Sequence, residues 1–293
     1  MFMSLIICTK DRASQLQRCL DEIAAASIPS CDLEIILVDN GSKDSTNEVI
    51  KTFAGKSPVK VSSVLCEKAG LGLARNFGLA AAKGEWLLFT DDDCYVDKSF
   101  FTEFFGFASF TSNSKTDTRD IRYGSGPIVP YDELHHPLVA SLAVHEIKLI
   151  KPKTLIGAGW VQGANMFFHR SIFEKIGPFN DKMGSGTPFA CEDIEMAARA
   201  SLAGFVGAQL PFFKVVHHHK RHIGSAEATS TIESYDYGRG AYYSSLLDLG
   251  VPEAWKLWEA CIDFKNIKQS DVRLRLAREF EGAAKYLANV KIE

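Results

Sequence analysis

The sequence predicts an α/β protein: a mainly parallel sheet flanked by helices, then a mixed second half and a C-terminal helical segment. Three observations predict it. Short apolar runs alternate with helix-period segments through residues 1–90. Those runs are near-continuous, as strands buried on both faces require, and turn residues separate them.

MSLIICT, residues 3–9, reads as a buried strand, and ASQLQRCLDEIAAA as a helix with Leu16, Cys19, Leu20 and Ile23 at helical spacing. EIILVD, Glu34 to Asp39, is the next strand, followed by the turn chemistry of NGSKDS. TNEVIKTF sets Val49, Ile50 and Phe53 on one helix face. VKVSSVL is a third strand, GLGLARNFGLAAAKG a helix closed by Gly84, and EWLLFT a fourth strand. In such sheets ligands bind beyond the carboxyl ends of the strands. Thr9, Asp39 and Asp91 to Asp93 all stand at those ends.

Farther on, GSGPIVPY reads as a strand running into a loop, Asp132 to Lys153 as a mixed, mobile excursion, and MFFHR as another strand. Ser171 and Glu174 in SIFEKIG form a candidate capping box. CEDIEMAARASLAGF is a helix with Gly204 near its end, and FFKVVHHH a late strand. After residue 226 the pattern is mainly helical, with Pro252 at a helix start and Trp255, Trp258 and Ile262 on one side.

With 293 residues, 46% of them hydrophobic and 24% charged, the chain suits one large or two closely packed soluble domains. A net charge of −3 gives no electrostatic footprint for nucleic acid. The cysteines, at 8, 19, 31, 66, 94, 191 and 261, are scattered, odd in number and never spaced CxxC, which suits free thiols in a reducing compartment. No stretch approaches the ~20 apolar residues of a membrane span. MFMSLIICTKDR lacks a basic leader and a small-residue cleavage site. The expectation is a cytoplasmic protein with at most peripheral contact to the inner face of a membrane.

FTDDDCYVD, Phe89 to Asp97, gathers three aspartates after an apolar strand. On an extended backbone Asp91 and Asp93 share a direction while Asp92 faces another. Hard divalent cations take one or two protein carboxylates and complete their shell with water and phosphate, so a DxD at a strand end fits a metal that arrives with a diphosphate. Taken alone, the triplet fits a solvated acidic turn at least as well.

Its surroundings change the reading. EKAGLGLARNFGLAAAKGEWLLFTDDD resembles the central signature of the family 2 inverting glycosyltransferases of the GT-A fold, through Gly70, Gly72, Ala74, Arg75, Asn76, Gly78, Gly84, Glu85 and Asp91 to Asp93. SLIICTKDR and LVDNGSKDST resemble that family's opening strand and nucleotide-contacting turn. QGANMFFHRSIFEKIGPFND resembles its acceptor-side segment, and ACEDIEMAARASLAGF its acidic helix start. Beyond residue 226 only YDYGRGAYYSSLL carries a weak likeness.

The resemblance implies a GT-A, Rossmann-like fold, with residues 1–125 as the nucleotide-sugar-binding half and 126–225 as the acceptor-binding and catalytic half of one domain. Residues 226–293 would be a C-terminal helical extension. It implies a nucleotide-sugar donor (a UDP-sugar), a Mn²⁺ or Mg²⁺ ion, and transfer of a single sugar to a hydroxyl of a glycan, lipid-linked or small-molecule acceptor. The Gln-x-x-Arg-Trp motif of processive relatives is absent.

By the same resemblance Asp93 and Asp91 hold the metal, Asp92 lies near the ribose, and Asp39 and Asn40 lie beside the nucleobase. A second aspartate is frequent in the family where Asn40 stands. Thr9, Asp11 and Arg12 line the same pocket. Arg75 is a donor-site cation or an ion pair holding helix to sheet. Asp193 is the general base, with Glu192 second, although carboxylates suit a first helical turn whatever their role. Glu195 reads as helix surface. His217 and His219 are further metal or diphosphate ligands, and Lys220, Arg221 and His222 face the diphosphate or solvent. Asn165 belongs to the sugar neighbourhood, and Trp160 either stacks on a sugar or packs in the core. Two rival readings are a non-catalytic nucleotide- or sugar-binding module on this scaffold and a sugar-nucleotide pyrophosphorylase. The second is disfavoured because CTKDRAS lacks a glycine-rich loop.

Overall fold

Apolar strands and amphipathic helices do alternate through the first half. The computed structural model describes residues 1–29, 32–112, 120–261 and 270–289. In order come β1 (Phe2–Thr9), α1 (Ala13–Ala25), β2 (Asp32–Asp39), α2 (Thr46–Lys56), β3 (Lys60–Leu65), α3 (Leu71–Ala81) and β4 (Trp86–Asp91). Then follow β5 (Cys94–Val96), α4 (Phe100–Ser112), β6 (Ile121–Ser125), β7 (Ile128–Pro130), β8 (Lys148–Ile150), β9 (Asn165–His169), α5 (Arg170–Ile176) and α6 (Glu192–Leu202). The last elements are β10 (Val206–Gln209), β11 (Val215–His217), α7 (Ala226–Asp248), α8 (Trp255–Cys261) and α9 (Ser270–Asn289).

The main sheet has eight strands in the order β3-β2-β1-β4-β9-β6-β10-β8. β3, β2, β1 and β4 are parallel, as are β6 and β10, while β9 runs antiparallel to both β4 and β6. Parallel pairing sets Thr9, Asp39 and Asp91 at one edge. Reversal of β9 brings its first residue, Asn165, opposite Thr90 at that same edge. The start of one strand thus meets the ends of others.

Aromatic packing grips this seam from both faces. Trp86 touches Phe104, Phe107, Phe167 and His169 on one side, and Phe89 touches Phe168, Phe173 and Phe179 on the other. Alternation along each strand sends neighbouring rings to opposite faces.

Several local expectations give way to tertiary contacts. FFKVVHHH yields only the three-residue β11, which joins β5 and β7 in a separate sheet. α3 stops at Ala81, and Gly84 does not cap it; a Cβ at Gly84 would press on the backbone of Ser4. The capping box at Ser171 and Glu174 does not form. β9 runs on to His169 by pairing with Trp86, so α5 starts at once and His169 is its N-cap, accepting from the Ser171 amide. Trp258 packs on Tyr243 and Phe280, whereas Trp255 is half exposed, and Ile262 lies outside the described residues. No helix among the described residues is long and apolar enough to cross a membrane.

α7 and α9 cross at two glycines. A Cβ at Gly240 would collide with the Glu279 carbonyl, and one at Gly282 with the Tyr237 carbonyl. Neither backbone has room to yield. Gly240→Ala is therefore expected to cost about 1–3 kcal/mol of stability, read as a lowered Tm in thermal denaturation, whereas alanine at the open Gly106 is neutral or stabilising.

Candidate active site

Carboxylates gathered at a sheet edge need compensating cations. Arg12, entering α1, forms ion pairs with Asp92 and Asp93. Asp92 also accepts from the Thr9 hydroxyl at 2.7 Å. His217, at the end of β11, places Nε2 3.2 Å from Asp93 Oδ1, while its Nδ1 lies 3.0 Å from the Ala140 carbonyl. That carbonyl fixes the ring and its tautomer, as outer partners of ligating histidines do.

The electrostatics follow from these neighbours. Burial alone would raise Asp93, but the His217 hydrogen bond and the charges of His217 and Arg12 hold it well below the usual carboxylate range. Burial alone would lower His217, yet Asp93 outweighs it and keeps the imidazole above its usual value. Asp92 is lifted by burial to about 7 in spite of Arg12.

Ligand atoms of Asp91, Asp93, Cys94 and His217 all lie within 4.8 Å of one another. Two carboxylates and an oriented imidazole converging there fit a divalent cation. Cys94 is a lesser partner, since burial raises its thiol well above the usual value and thiolate is the ligating form. His219 stands apart from this group. It is buried beside His217, its Nδ1 accepts from the Arg221 amide, and burial drives it down to about 3.

Arg75, on α3 and 3% exposed, joins this corner to a second acidic one. It pairs with Glu192 and lies 3.6 Å from Asp91. Of the two readings for Arg75, the ion pair is the geometry present, and it bridges helix to helix as well as helix to sheet. α6 starts after Cys191, whose left-handed φ of 79° turns the chain so that Glu192 and Asp193 open the helix. Asp193 Oδ2 accepts from the Gly163 amide and Oδ1 from the Ile194 amide, both at 2.7 Å. Burial raises both acids, Glu192 to about 7, against the pull of Arg75.

Glu195 is not surface. It is 2% exposed and hydrogen-bonded to Arg199 at 2.8 Å, because nearly every side of α6 is covered.

One cavity of about 1080 Å³ takes in both corners. Of the residues singled out from sequence, Thr9, Arg12, Asn40, Arg75, Asp91, Asp92, Asp93, Glu192, Asp193, His217 and Arg221 line it. Asp11, Asp39, Trp160, Asn165, His219, Lys220 and His222 are not on its wall. Asp11 accepts from the Lys43 amide and Asp39 from the Ser42 amide, so each shapes a turn. Asn165 is buried and donates to the Pro127 and Phe213 carbonyls, a pin between segments.

The family description Glycosyl transferase family 2 matches residues 4–177. The chain belongs to this family. Among curated relatives, Glycosyltransferase AglE of Haloferax volcanii is 26% identical over 208 residues, covering 70% of this chain and 62% of AglE. Poly(ribitol-phosphate) beta-N-acetylglucosaminyltransferase TarS of Staphylococcus aureus is 32% identical over 98 residues, 33% of this chain and 17% of TarS. This family 2 chain therefore spans less than two thirds of either relative. Two solved structures share its fold. Mannosyltransferase PcManGT from Pyrobaculum calidifontis, in complex with GDP-Man and Mn²⁺, superposes with a TM-score of 0.64 at 16% identity, over 99% of this chain and 76% of that one. S. aureus TarS 1-349 with UDP-GlcNAc gives 0.63 at 17% identity, over 99% and 82%. At these identities the likeness establishes the fold, GT-A, with its large mostly parallel sheet flanked by helices.

The sequence reading of this family 2 member missed two parts of the site. Ser234, Tyr235 and Arg239 of α7 form the far cavity wall, and the helical pattern there gave no hint of which face it shows. Gly163 was also missed, although a glycine just ahead of a strand is a sign of close approach. A Cβ there would meet the Arg75 guanidinium, already pinned by Glu192 and Asp91, while its amide holds Asp193. Gly163→Ala is expected to displace one of these charged groups and to lower activity at least about tenfold. Steady-state turnover, with thermal melting as the control for folding, measures it.

Proposed function

We propose that this chain is a metal-dependent inverting glycosyltransferase. It moves one sugar from a nucleotide-sugar, a UDP-sugar, to a hydroxyl of a glycan, lipid-linked or small-molecule acceptor. The observation that carries the reading is the joint placement of the Asp91–Asp93–His217 corner and Asp193 on one cavity wall, coupled through Arg75. The complexes of PcManGT with GDP-Man and Mn²⁺ and of TarS with UDP-GlcNAc support the same class of donor.

Asp93, Asp91 and His217 would hold Mn²⁺ or Mg²⁺, which when bound supplies Lewis-acid stabilisation to a departing diphosphate. Asp193 takes the proton of the acceptor hydroxyl as that oxygen bonds to the anomeric carbon and the nucleoside diphosphate leaves from the opposite face. Its two backbone donors fix the carboxylate and occupy one lone pair on each oxygen, leaving others to receive the proton. Glu192 is less suited because Arg75 engages its carboxylate. Arg12 and Thr9 orient Asp92 toward the donor end. The first half of the chain, residues 1–125, serves the donor and 126–225 the acceptor and the base, while α7, with Leu257 and Arg275, closes the far wall.

Asp193→Asn is expected to keep donor affinity by calorimetry and to lose transfer by about 10²–10⁴-fold. A base whose pKa is raised works only above it, so wild-type kcat/KM falls as pH drops through the pKa of Asp193, which burial sets above the usual aspartate range. Asp93→Ala is expected to abolish the Mn²⁺-dependent part of nucleotide binding in titrations with and without the ion. Unchanged binding would overturn the metal assignment.

A further inference from the structure

Asn40 directly follows β2 at the carboxyl edge of the sheet and lines the cavity, yet its amide is turned inward. Nδ2 donates to the Cys66 and Lys68 carbonyls, both at 2.7 Å, and Oδ1 accepts from the Gly70 amide at 3.3 Å. Its backbone N–H donates to Thr9 O, and the Cys66 N–H donates to Asp39 O. A primary amide has two donors and two acceptor sites. Both donors and one acceptor are therefore committed to residues 66–70, the turn between β3 and α3. Ala69, Gly70 and Leu71 of that segment are cavity wall. The first amides of α3 are committed as well, Leu71 to the Ser185 carbonyl and Gly72 to the Met183 carbonyl.

We propose that Asn40 is a positioning residue for the donor rather than a reader of its base. It clamps the 66–70 turn so that the wall beside Thr9 and Arg12 has one fixed shape, and base discrimination falls to other groups. This rests on the donor-binding reading above.

An aspartate at this position would keep the acceptor, lose both donors and set its charge against two carbonyl oxygens. The clamp thus requires the amide, whereas a base-reading acceptor would tolerate the acid. In the free protein, hydrogen–deuterium exchange over residues 66–70 is expected to quicken about tenfold in both Asn40→Ala and Asn40→Asp. With Mn²⁺ present, Kd for UDP and for GDP should rise by the same factor, about tenfold, in each variant. In turnover the loss falls on donor KM rather than kcat. Asn40→Ser, with one short donor, gives an intermediate loss if the aspartate variant does not fold. The clamp is overturned if exchange at 66–70 is unchanged. It is overturned equally if the UDP-to-GDP ratio shifts more than about threefold or if Asn40→Asp binds like wild type. Wild-type protein that binds neither nucleotide removes the donor reading, while the exchange result still decides the clamp.

Discussion

A buried guanidinium holds the cleft together. Arg75 is almost wholly withdrawn from water, and its charge is compensated by Glu192, which pairs with it, and by Asp91 nearby. Leaving such a group unpaired is far more costly than never burying it. The dependence is mutual. Asp91, Asp92, Asp93, Glu192 and Asp193 crowd one edge, and Arg12, Arg75 and His217 are the cations paired with them. Ligand atoms of Asp91, Asp93 and His217 converge within this cluster of acids and cations. The aspartate triplet that looks self-repelling in the sequence is one side of this balance.

The far side of the cleft depends on backbone proximity instead. Glycines at 240 and 282 let α7 and α9 approach until each meets the other's carbonyls, and Gly238 lets α7 close on Ala190 just ahead of α6. Arg239, between Asp236 and Glu279, continues the pattern of a cation spanning two acids. Through these contacts the C-terminal helices are fastened to the helix that bears Asp193. α7 faces the cavity through Ser234, Tyr235 and Arg239, and Pro137, Leu138, Ala140 and Ser141 ahead of β8 face it too, whereas Trp160 does not.

Much of the architecture was legible because it is periodic. β1 to β4 and α1 to α3 follow from apolar spacing within a few residues, and the rule that ligands gather beyond parallel strand ends placed the aspartates correctly at the cavity edge. Illegible features depend on what a segment packs against. Glu195 occupies a position that reads as a polar face, but α6 is covered nearly all round, so it has no wet side. Asn165 and Asn40 lie beside the site in sequence motifs, yet both spend their amides on neighbouring carbonyls. An amide's type reveals what it can bond, never which way it turns. The His217–His219 run was similarly ambiguous. Only the partner strands β5 and β7 decide that His217 meets Asp93 while His218 stacks on Tyr131.

The reversed strand β9 has a wider effect than local pairing. Among the described residues it joins the four-stranded parallel unit to β6, β10 and β8 in the main sheet, and different aromatic rings fill its two faces. A slip by one residue would exchange those faces and force Phe167 and Phe168 into each other's places. None of these rings lines the cavity, yet the register they hold is what sets Asn165 against Thr90 at its edge.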